Sequence, residues 1–175
     1  MIFVTAGTNE QPFERLVSYA ARLDGDEALV VQYGSARVAH GRGRWVDFLA
    51  WEEMAALMRE ARAVVAHAGT GSILLAQRCG KRPIVVPRRG DLGEAVDDHQ
   101  DPLARRLAGE GMVLLADDEE SLREALALPP ERLALDAAPG AAGGLTDAVA
   151  EALARVAGPP SAAGRPAASA AGAAR

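Results

Sequence analysis

Short apolar runs alternate with amphipathic stretches along most of this chain, and this alternation restricts the possible folds more than any other feature. The runs are apolar on both faces, which is typical of strands buried inside a parallel sheet. Parallel strands that are joined by helices need right-handed crossovers, and these place helices on both faces of the sheet. The sequence therefore predicts an α/β domain with a Rossmann-like parallel sheet covered by helices on both faces.

The predicted elements cover almost the whole chain. The predicted strands are MIFVTA from Met1, ALVVQY from Ala28, WVDFLA from Trp45, AVVA from Ala63, PIVVP from Pro83 and MVLLA from Met112. The first predicted helix begins near Pro12, and the other five cover 52–61, 72–79, 98–108, 119–126 and 146–156. The predicted domain is 1–157. Residues 158–175 are rich in Ala, Gly and Pro and have too little apolar surface to offset the entropy of ordering, so we expect a disordered tail.

Composition limits the partners and the compartment. The 175 residues carry a formal net charge of -5, and the arginines are scattered, so we expect no nucleic-acid partner. Cys79 is the single cysteine, which excludes an internal disulfide and leaves no cysteine cluster for a metal. The start has no basic region typical of a signal peptide, and no run is long enough to span a membrane. We therefore expect a cytoplasmic chain.

Glycines and polar side chains are concentrated in three segments that each follow a predicted strand. These are the glycine loop (7–12), the histidine turn (67–72) and the acidic loop (88–100). In an open parallel sheet, ligands bind at the carboxyl ends of the strands. The three segments therefore predict one binding site at that edge.

The histidine turn, HAGTGS, has the features of an anion site. We predict positive φ at Gly69 and Gly71, which turns backbone N–H groups toward a ligand, and N-cap hydroxyls from Thr70 and Ser72. A helix N-terminus of this kind favours phosphate, to which His67 can donate a hydrogen bond. The alternative is a structural role: a tight turn, a capped helix and a satisfied, semi-buried histidine.

The acidic loop gathers Glu94, Asp97, Asp98, His99 and Gln100 just before a predicted helix. Carboxylate and amide groups provide the directional hydrogen bonds that sugar hydroxyls need. The structural alternative is a helix start, where the helix dipole favours acids. A metal site is a third interpretation, but no second histidine or cysteine lies at ligand spacing, so we predict no bound metal.

Three segments together resemble a known family. They are FVTAGTNEQPFERL from Phe3, VVAHAGTGSIL from Val64 and PIVVPRRGDLGEAVDDHQDPLARRLAGEG from Pro83. They resemble the donor-binding subunit of two-chain glycosyltransferases, a group that includes the dolichol-pathway N-acetylglucosaminyltransferase subunit and bacterial exopolysaccharide and capsule counterparts. Over residues 1–126 the chain is similar to the C-terminal domain of glycosyltransferase family 28, which has the GT-B fold.

The resemblance implies a site for a nucleotide-sugar donor, expected to be a UDP-sugar, and no separate cofactor. It implies diphosphate binding by Gly7, Thr8, His67, Gly69, Thr70, Gly71 and Ser72. It implies hexose binding by Asp98, His99 and Gln100. Glu94 is a candidate general base, although the partner is an equally open source. Relatives often have an acidic residue that contacts the ribose where this chain has Leu75, so the nucleotide preference stays open.

The resemblance also implies a partner, because one Rossmann-like domain is only half of a GT-B enzyme. The expected partner is a membrane-anchored subunit that holds a lipid-linked acceptor, which places this chain at the inner face of the plasma membrane. The expected reaction is inverting transfer, with the leaving diphosphate stabilised at the helix N-terminus. Arg88 and Arg89 are expected to pair with acids on the partner, to lie near anionic lipid or to be solvated.

Two other functions stay open at this point. One is a non-catalytic accessory subunit that enhances a partner transferase, which the apolar Leu75 favours. The other is an NAD(P)-dependent oxidoreductase, since GTGS contains Gly-x-Gly and Arg88 or Arg89 would suit a 2′-phosphate. The third glycine position of that fingerprint is Leu74, however, and the turn follows the fourth predicted strand instead of the first.

Overall fold

The computed structural model describes residues 1–37, 39–96 and 100–134, which form one six-stranded sheet with helices on both faces. The strands are β1 (Ile2–Thr5), β2 (Leu29–Gln32), β3 (Arg44–Val46), β4 (Ala63–His67), β5 (Ile84–Val86) and β6 (Leu114–Leu115). The helices are α1 (Glu14–Ala21), α2 (Trp51–Glu60), α3 (Thr70–Arg78), α4 (Gln100–Gly109), α5 (Glu119–Leu126) and α6 (Pro130–Leu133). The predicted α/β architecture is confirmed.

The strand order is β3-β2-β1-β4-β5-β6, and all neighbouring strands are parallel. The chain adds β2 and β3 on one side of β1 and then β4, β5 and β6 on the other side, so the strand order reverses between β1 and β4. Thr5 of β1 lies opposite Ala66 of β4, so the glycine loop and the histidine turn leave the sheet side by side. A crevice at such a reversal point is the usual ligand position in open α/β sheets. The topology therefore places two of the three predicted segments together.

Alternate residues of β1 build the core on the two faces of the sheet. Val4 packs in an apolar cluster with Leu16 of α1 and Leu122 of α5, whereas Phe3 packs on the other face with Met58 of α2 and Ala76 of α3. All four residues of β1 are buried, as expected for a central strand. Both faces of the sheet are thus covered.

Several predicted boundaries are wrong. The apolar run from Trp45 to Ala50 contains only a short edge strand, because Phe48 is exposed and Ala50 is the N-cap of α2. Helix α3 begins at Thr70 instead of Ser72. Helix α4 is described from Gln100 onward, and its predicted start at Asp98 lies outside the described residues. Helix α6 and a 3-10 turn at Gly90–Leu92 were not predicted. The predicted helix over 146–156, the domain end at 157 and the tail over 158–175 lie outside the described residues.

Within the described residues, no helix is long and apolar enough to cross a membrane.

Candidate functional site

A cleft of about 350 Å³, the glycine cleft, opens at the carboxyl ends of β1 and β4. Its walls come from the glycine loop, the loop between β3 and α2, the first turns of α2 and α3, and the end of β4. They consist of Gly7, Thr8, Phe48, Leu49, Trp51, Met54, His67, Gly71 and Ser72. The structure thus brings Gly7, Thr8, His67, Gly71 and Ser72 of the predicted donor-binding set to one cleft.

The His67 imidazole is packed between two glycines. A Cβ atom at Gly7 would lie 2.5 Å from Cε1 of His67, and one at Gly69 would lie 2.1 Å from Nε2. Both distances are too short for any side chain to be accommodated without displacing the ring. Gly7 also has a φ of 81°, a conformation that residues with a Cβ rarely adopt. The two glycines therefore allow the imidazole to occupy the wall of the cleft.

This packing corrects the predicted roles of the glycines in the histidine turn. Gly69 has an extended backbone (φ -77°, ψ 128°), and Gly71 lies within α3, so the positive φ expected at both positions is wrong. The N-cap of α3 is Gly69 itself, and no side chain caps this end. Thr70 and Ser72 lie inside the first helical turn, so their predicted N-cap role is wrong as well.

The N-terminus of α3 has the free donors of an anion site. Its first intrahelical hydrogen bond runs from the Ile73 N–H to the Gly69 carbonyl (3.1 Å). The N–H groups of Thr70, Gly71 and Ser72 therefore have no acceptor within the helix. A Cβ at Gly71 would meet no atom within 4 Å, so this side of the helix start is open. The helix dipole adds partial positive charge at the same point.

His67 is neutral at physiological pH. Burial lowers the pKa of this imidazole from 6.5 to about 4, and the nearby positive charge of Arg88 contributes in the same direction. Its buried Nδ1 has no hydrogen-bond partner among the described residues. A neutral imidazole on the cleft wall can exchange a hydrogen bond with a ligand but adds no positive charge.

Gln32 fixes the floor of the site and was missed from the sequence. Its buried Oε1 accepts hydrogen bonds from the Thr5 hydroxyl (2.7 Å) and the Gly7 N–H (3.1 Å). Its Nε2 donates to the carbonyls of Gly7 (3.0 Å) and Asp47 (2.8 Å). One amide thus joins the glycine loop to the loop before α2. The available signal was a polar residue at the end of the apolar run LVVQ.

Arg88 is buried, contrary to expectation. Only 1% of the residue is exposed, and its guanidinium donates to the backbone carbonyls of Ala6, Gln11 and Glu94. It therefore cannot face a partner, a lipid surface or the 2′-phosphate of a dinucleotide. Arg89 is exposed and pairs with Asp91 of the same chain (2.7 Å).

Glu94 is held in an ion pair. Its carboxylate is buried and accepts from Arg15 at both oxygens (2.9 and 2.8 Å) and from the Arg89 N–H (3.0 Å). A general base needs a free lone pair directed at the substrate, so this geometry favours a structural carboxylate. The catalytic role of Glu94 stays a prediction.

The predicted hexose-binding residues are only partly visible. Gln100 begins α4, and its Oε1 accepts from the Arg88 N–H (3.2 Å). Asp98 and His99 lie outside the described residues, as does Asp97. Hexose binding by Asp98, His99 and Gln100 therefore stays a prediction. In the described part of the chain, no group of three or more His, Cys, Asp or Glu side chains could hold a metal ion.

A larger cleft of about 590 Å³, the arginine cleft, lies at the same edge between α1 and α4. Its charged lining residues are Arg15, Arg88, Arg89, Arg105, Asp91, Asp101 and Asp117. Three of the arginines already contact carboxylates: Arg105 contacts Asp101 (2.9 Å) and Asp117 (3.1 Å), Arg15 contacts Glu94, and Arg89 contacts Asp91. Arg88 donates to backbone carbonyls. A diphosphate would have to compete with these partners, whereas the helix start in the glycine cleft has N–H groups without an acceptor in the helix, so the glycine cleft is the better candidate for an anionic ligand.

Leu75 is an apolar core residue in this chain. It lies in α3, is 4% exposed and packs in one cluster with Phe3, Met54 and Met58. A leucine side chain cannot hydrogen-bond to a ribose hydroxyl, so any such hydrogen bond must come from another residue.

The sheet and its helices have the fold of GT-B glycosyltransferases. The crystal structure of the glycosyltransferase SnogD from Streptomyces nogalater superposes with a TM-score of 0.50 and 23% identity, over 89% of this chain and 39% of that chain. The calicheamicin glycosyltransferase CalG4 superposes with a TM-score of 0.51 and 21% identity, over 89% and 37%. The chain thus spans well under half of each of these proteins, and the likeness establishes the fold.

The sequence places the chain more narrowly. The profile of the glycosyltransferase family 28 C-terminal domain matches residues 1–137, and the chain belongs to this family of glycosyltransferases. A relative from Yarrowia lipolytica, the UDP-N-acetylglucosamine transferase subunit ALG13, is 29% identical in an alignment of 137 positions, and the match covers 70% of this chain and 67% of the relative. The family resemblance that three sequence segments predicted is confirmed.

Proposed function

We propose that this chain is the donor-binding subunit of a two-chain glycosyltransferase. It binds a UDP-sugar and supports transfer of a hexose or N-acetylhexosamine to a lipid-linked acceptor. The observation that carries the proposal is the glycine cleft, where the open N-terminus of α3 and the neutral His67 face the same space. UDP is preferred because the ALG13 relative is named as a UDP-N-acetylglucosamine transferase subunit.

The cleft suggests how the donor lies. The diphosphate binds at the free N–H groups of Thr70, Gly71 and Ser72, where the helix dipole favours negative charge. Phe48 and Trp51 line the same cleft and are 65% and 54% exposed, so their rings are available to stack on a nucleobase. The sugar then extends toward the acidic loop, in agreement with the predicted hexose contacts. Stacking accepts any base, so these rings do not explain a preference for uracil.

The chemistry proposed for this site is electrostatic. In inverting transfer the acceptor hydroxyl attacks the anomeric carbon, and the bond from that carbon to the diphosphate oxygen breaks. Negative charge then grows on the diphosphate, next to the N-terminus of α3. His67 donates a hydrogen bond to the same group without charge of its own. Because Glu94 is held by Arg15, the base that accepts the hydroxyl proton is proposed to lie on the partner.

The partner is proposed to cover the carboxyl edge of the sheet. Leu92 and Val96 of the acidic loop are 53% and 84% exposed, although both are large apolar residues. Exposed apolar groups next to a cleft are typical of a binding surface. We propose that this partner is membrane-anchored and holds the acceptor, with the complex at the cytoplasmic face of the plasma membrane in polysaccharide or glycolipid synthesis.

A binding experiment tests the donor site. Gly71→Val places a side chain in the open part of the cleft, so calorimetry should show UDP affinity reduced about tenfold or more with an unchanged melting temperature. Gly109→Val is the matched control, because Gly109 is also helical and its Cβ would also meet open space, but it lies in α4 away from the cleft. Equal UDP affinity in both folded variants would remove the glycine cleft as the donor site.

The second candidate function is a non-catalytic accessory subunit. It is favoured by the apolar Leu75 and by the occupied carboxylate of Glu94. Transfer to a lipid-linked acceptor, measured for the chain alone and with its partner, separates the two functions. A donor-binding subunit gives negligible turnover alone, because only the partner positions the acceptor. In the complex, Gly71→Val should then lower kcat/KM for the UDP-sugar about tenfold or more, as it lowers the UDP affinity. An unchanged kcat/KM of the complex with Gly71→Val would favour the accessory role.

A further inference from the structure

We propose that Arg88 is a positioning residue that holds the glycine loop and the acidic loop of the site in one fixed arrangement. The proposal rests on the proposed function only for what the two loops bind. The arrangement itself follows from the contacts of a single buried side chain.

The guanidinium of Arg88 joins backbone from both loops. Its Nη2 donates to the carbonyl of Ala6 (2.8 Å), and its Nη1 donates to the carbonyls of Gln11 (2.7 Å) and Glu94 (2.6 Å). Ala6 lies directly before the glycine loop and Gln11 lies near its end, so both ends of this loop are attached to one group. Hydrogen bonds from a charged donor are stronger than neutral ones, and the planar guanidinium fixes their directions.

The residue is expensive to bury, which argues against a role in packing alone. Arg88 is 1% exposed, and burial lowers its pKa from the ordinary arginine value. The nearby carboxylate of Glu94 makes its short ion pair with Arg15, so the cation of Arg88 is solvated mainly by carbonyls and by the Phe13 ring, 4.7 Å away. An apolar side chain of similar volume would fill this position without that cost.

A second layer of contacts extends the attachment. The Glu94 carboxylate accepts from the Arg89 N–H (3.0 Å), and Arg15 donates to the Pro87 carbonyl (2.7 Å). These two contacts hold the backbone on either side of Arg88, at Pro87 and at Arg89. Since Gly7 lies between the two attachment points of the glycine loop and packs on His67, movement of that loop would also release the imidazole.

Hydrogen–deuterium exchange tests this role without a ligand. In Arg88→Met, amides of residues 6–12 and 90–96 should exchange about tenfold faster, because both loops lose their common attachment. Arg42→Met is the matched control: Arg42 donates to the carbonyls of Leu23, Asp24 and Glu27 at the opposite edge of the sheet. Arg42→Met should accelerate amide exchange only near the turn at residues 23–27, whose carbonyls accept from Arg42.

Calorimetry with UDP gives the second readout. Arg88→Met should weaken UDP binding about tenfold at a temperature where it is folded, since the loops must then be ordered on binding, whereas Arg42→Met should bind as wild type. If Arg88→Met does not fold, Arg88→Lys replaces it, because one ammonium keeps the charge but cannot reach all three carbonyls. A folded variant at position 88 with wild-type exchange in both loops would overturn the proposal. Absence of UDP binding by the wild-type chain would instead contradict the proposed function, and the exchange result would still decide the role of Arg88.

Discussion

The amino edge of the sheet, where its strands begin, and the carboxyl edge, where they end, both contain arginines and ion pairs but differ in what they leave exposed. At the amino ends of the strands, Arg62 pairs with Glu27 (2.7 Å), which also contacts the Met1 amine (3.0 Å), so the edge is closed by ion pairs. At the carboxyl ends, the glycine loop and the histidine turn leave a cleft lined by exposed aromatic rings. Each edge also has an arginine that donates hydrogen bonds to backbone carbonyls. Arg42 binds carbonyls of one turn, whereas Arg88 binds carbonyls from two separate parts of the chain.

The difference shows how one sheet separates stability from function. Solvent and salt screen the partly exposed ion pairs at the amino edge, so their loss costs little stability. At the carboxyl edge, a partly buried neutral histidine and a buried arginine lie near a helix start whose first N–H groups have no acceptor in the helix. Such buried, incompletely satisfied groups are costly and are typical of binding sites.

The largest expected effect is the acid sensitivity of the carboxyl edge. The folded chain holds the pKa of His67 at about 4, against 6.5 when unfolded, so the unfolded state binds the proton first as pH falls. Protonation of His67 therefore leaves the free energy of unfolding unchanged well above pH 6.5 and lowers it by about 3 kcal/mol as the pH drops to 4. Urea unfolding between these pH values should be much less pH-dependent in His67→Gln. The same slope in variant and wild type would show that His67 is not buried in its neutral form.

The next effect compares one glycine from each edge. Gly7 and Gly25 both have positive φ, 81° and 103°, but only a Cβ at Gly7 would collide with His67. Alanine at either position adds backbone strain, so Gly7→Ala should destabilise the chain by about 2 kcal/mol more than Gly25→Ala through overpacking. Chemical denaturation of both variants measures this difference. Equal losses would mean that the ring moves aside freely.

A smaller effect belongs to the amino edge. The Arg62 hydrogen bond is the largest cause that lowers the pKa of Glu27, from 4.5 to about 2, so stability from this group is present above pH 4.5 and lost as pH falls to 2. Because the Glu27 side chain is 30% exposed, the solvent screens the pair, and Glu27→Gln should cost only about 1 kcal/mol at pH 7. Denaturation at pH 7 and pH 2 measures it. UDP affinity should not change, and a loss of binding would link the two edges.

The sequence predicted the fold well because strand and helix periodicity is local information. The runs around Phe3, Val30, Val64 and Val85 gave the parallel sheet, and residues from two of the segments that follow them line one cleft at its carboxyl edge. The length of the edge strand β3 was overestimated, because apolar composition alone does not show that Phe48 is exposed.

The site was harder to predict because its geometry depends on contacts between distant segments. The glycines of the histidine turn suggested positive φ, whereas Gly69 is needed for the close approach of His67. Nothing in the local sequence of Arg88 shows that carbonyls from residues 6, 11 and 94 converge on it. A loop arginine is normally solvated, and only the assembled fold reverses that expectation.

The most direct test of the central claim is a UDP titration of the 15N-labelled chain, followed by amide chemical shifts at both edges of the sheet. The account predicts shifts that are concentrated at Gly7, Thr8, Gly71 and Ser72, with those of Glu27, Arg42 and Arg62 unchanged. Shifts concentrated at the amino edge, or none at saturating UDP, would contradict it.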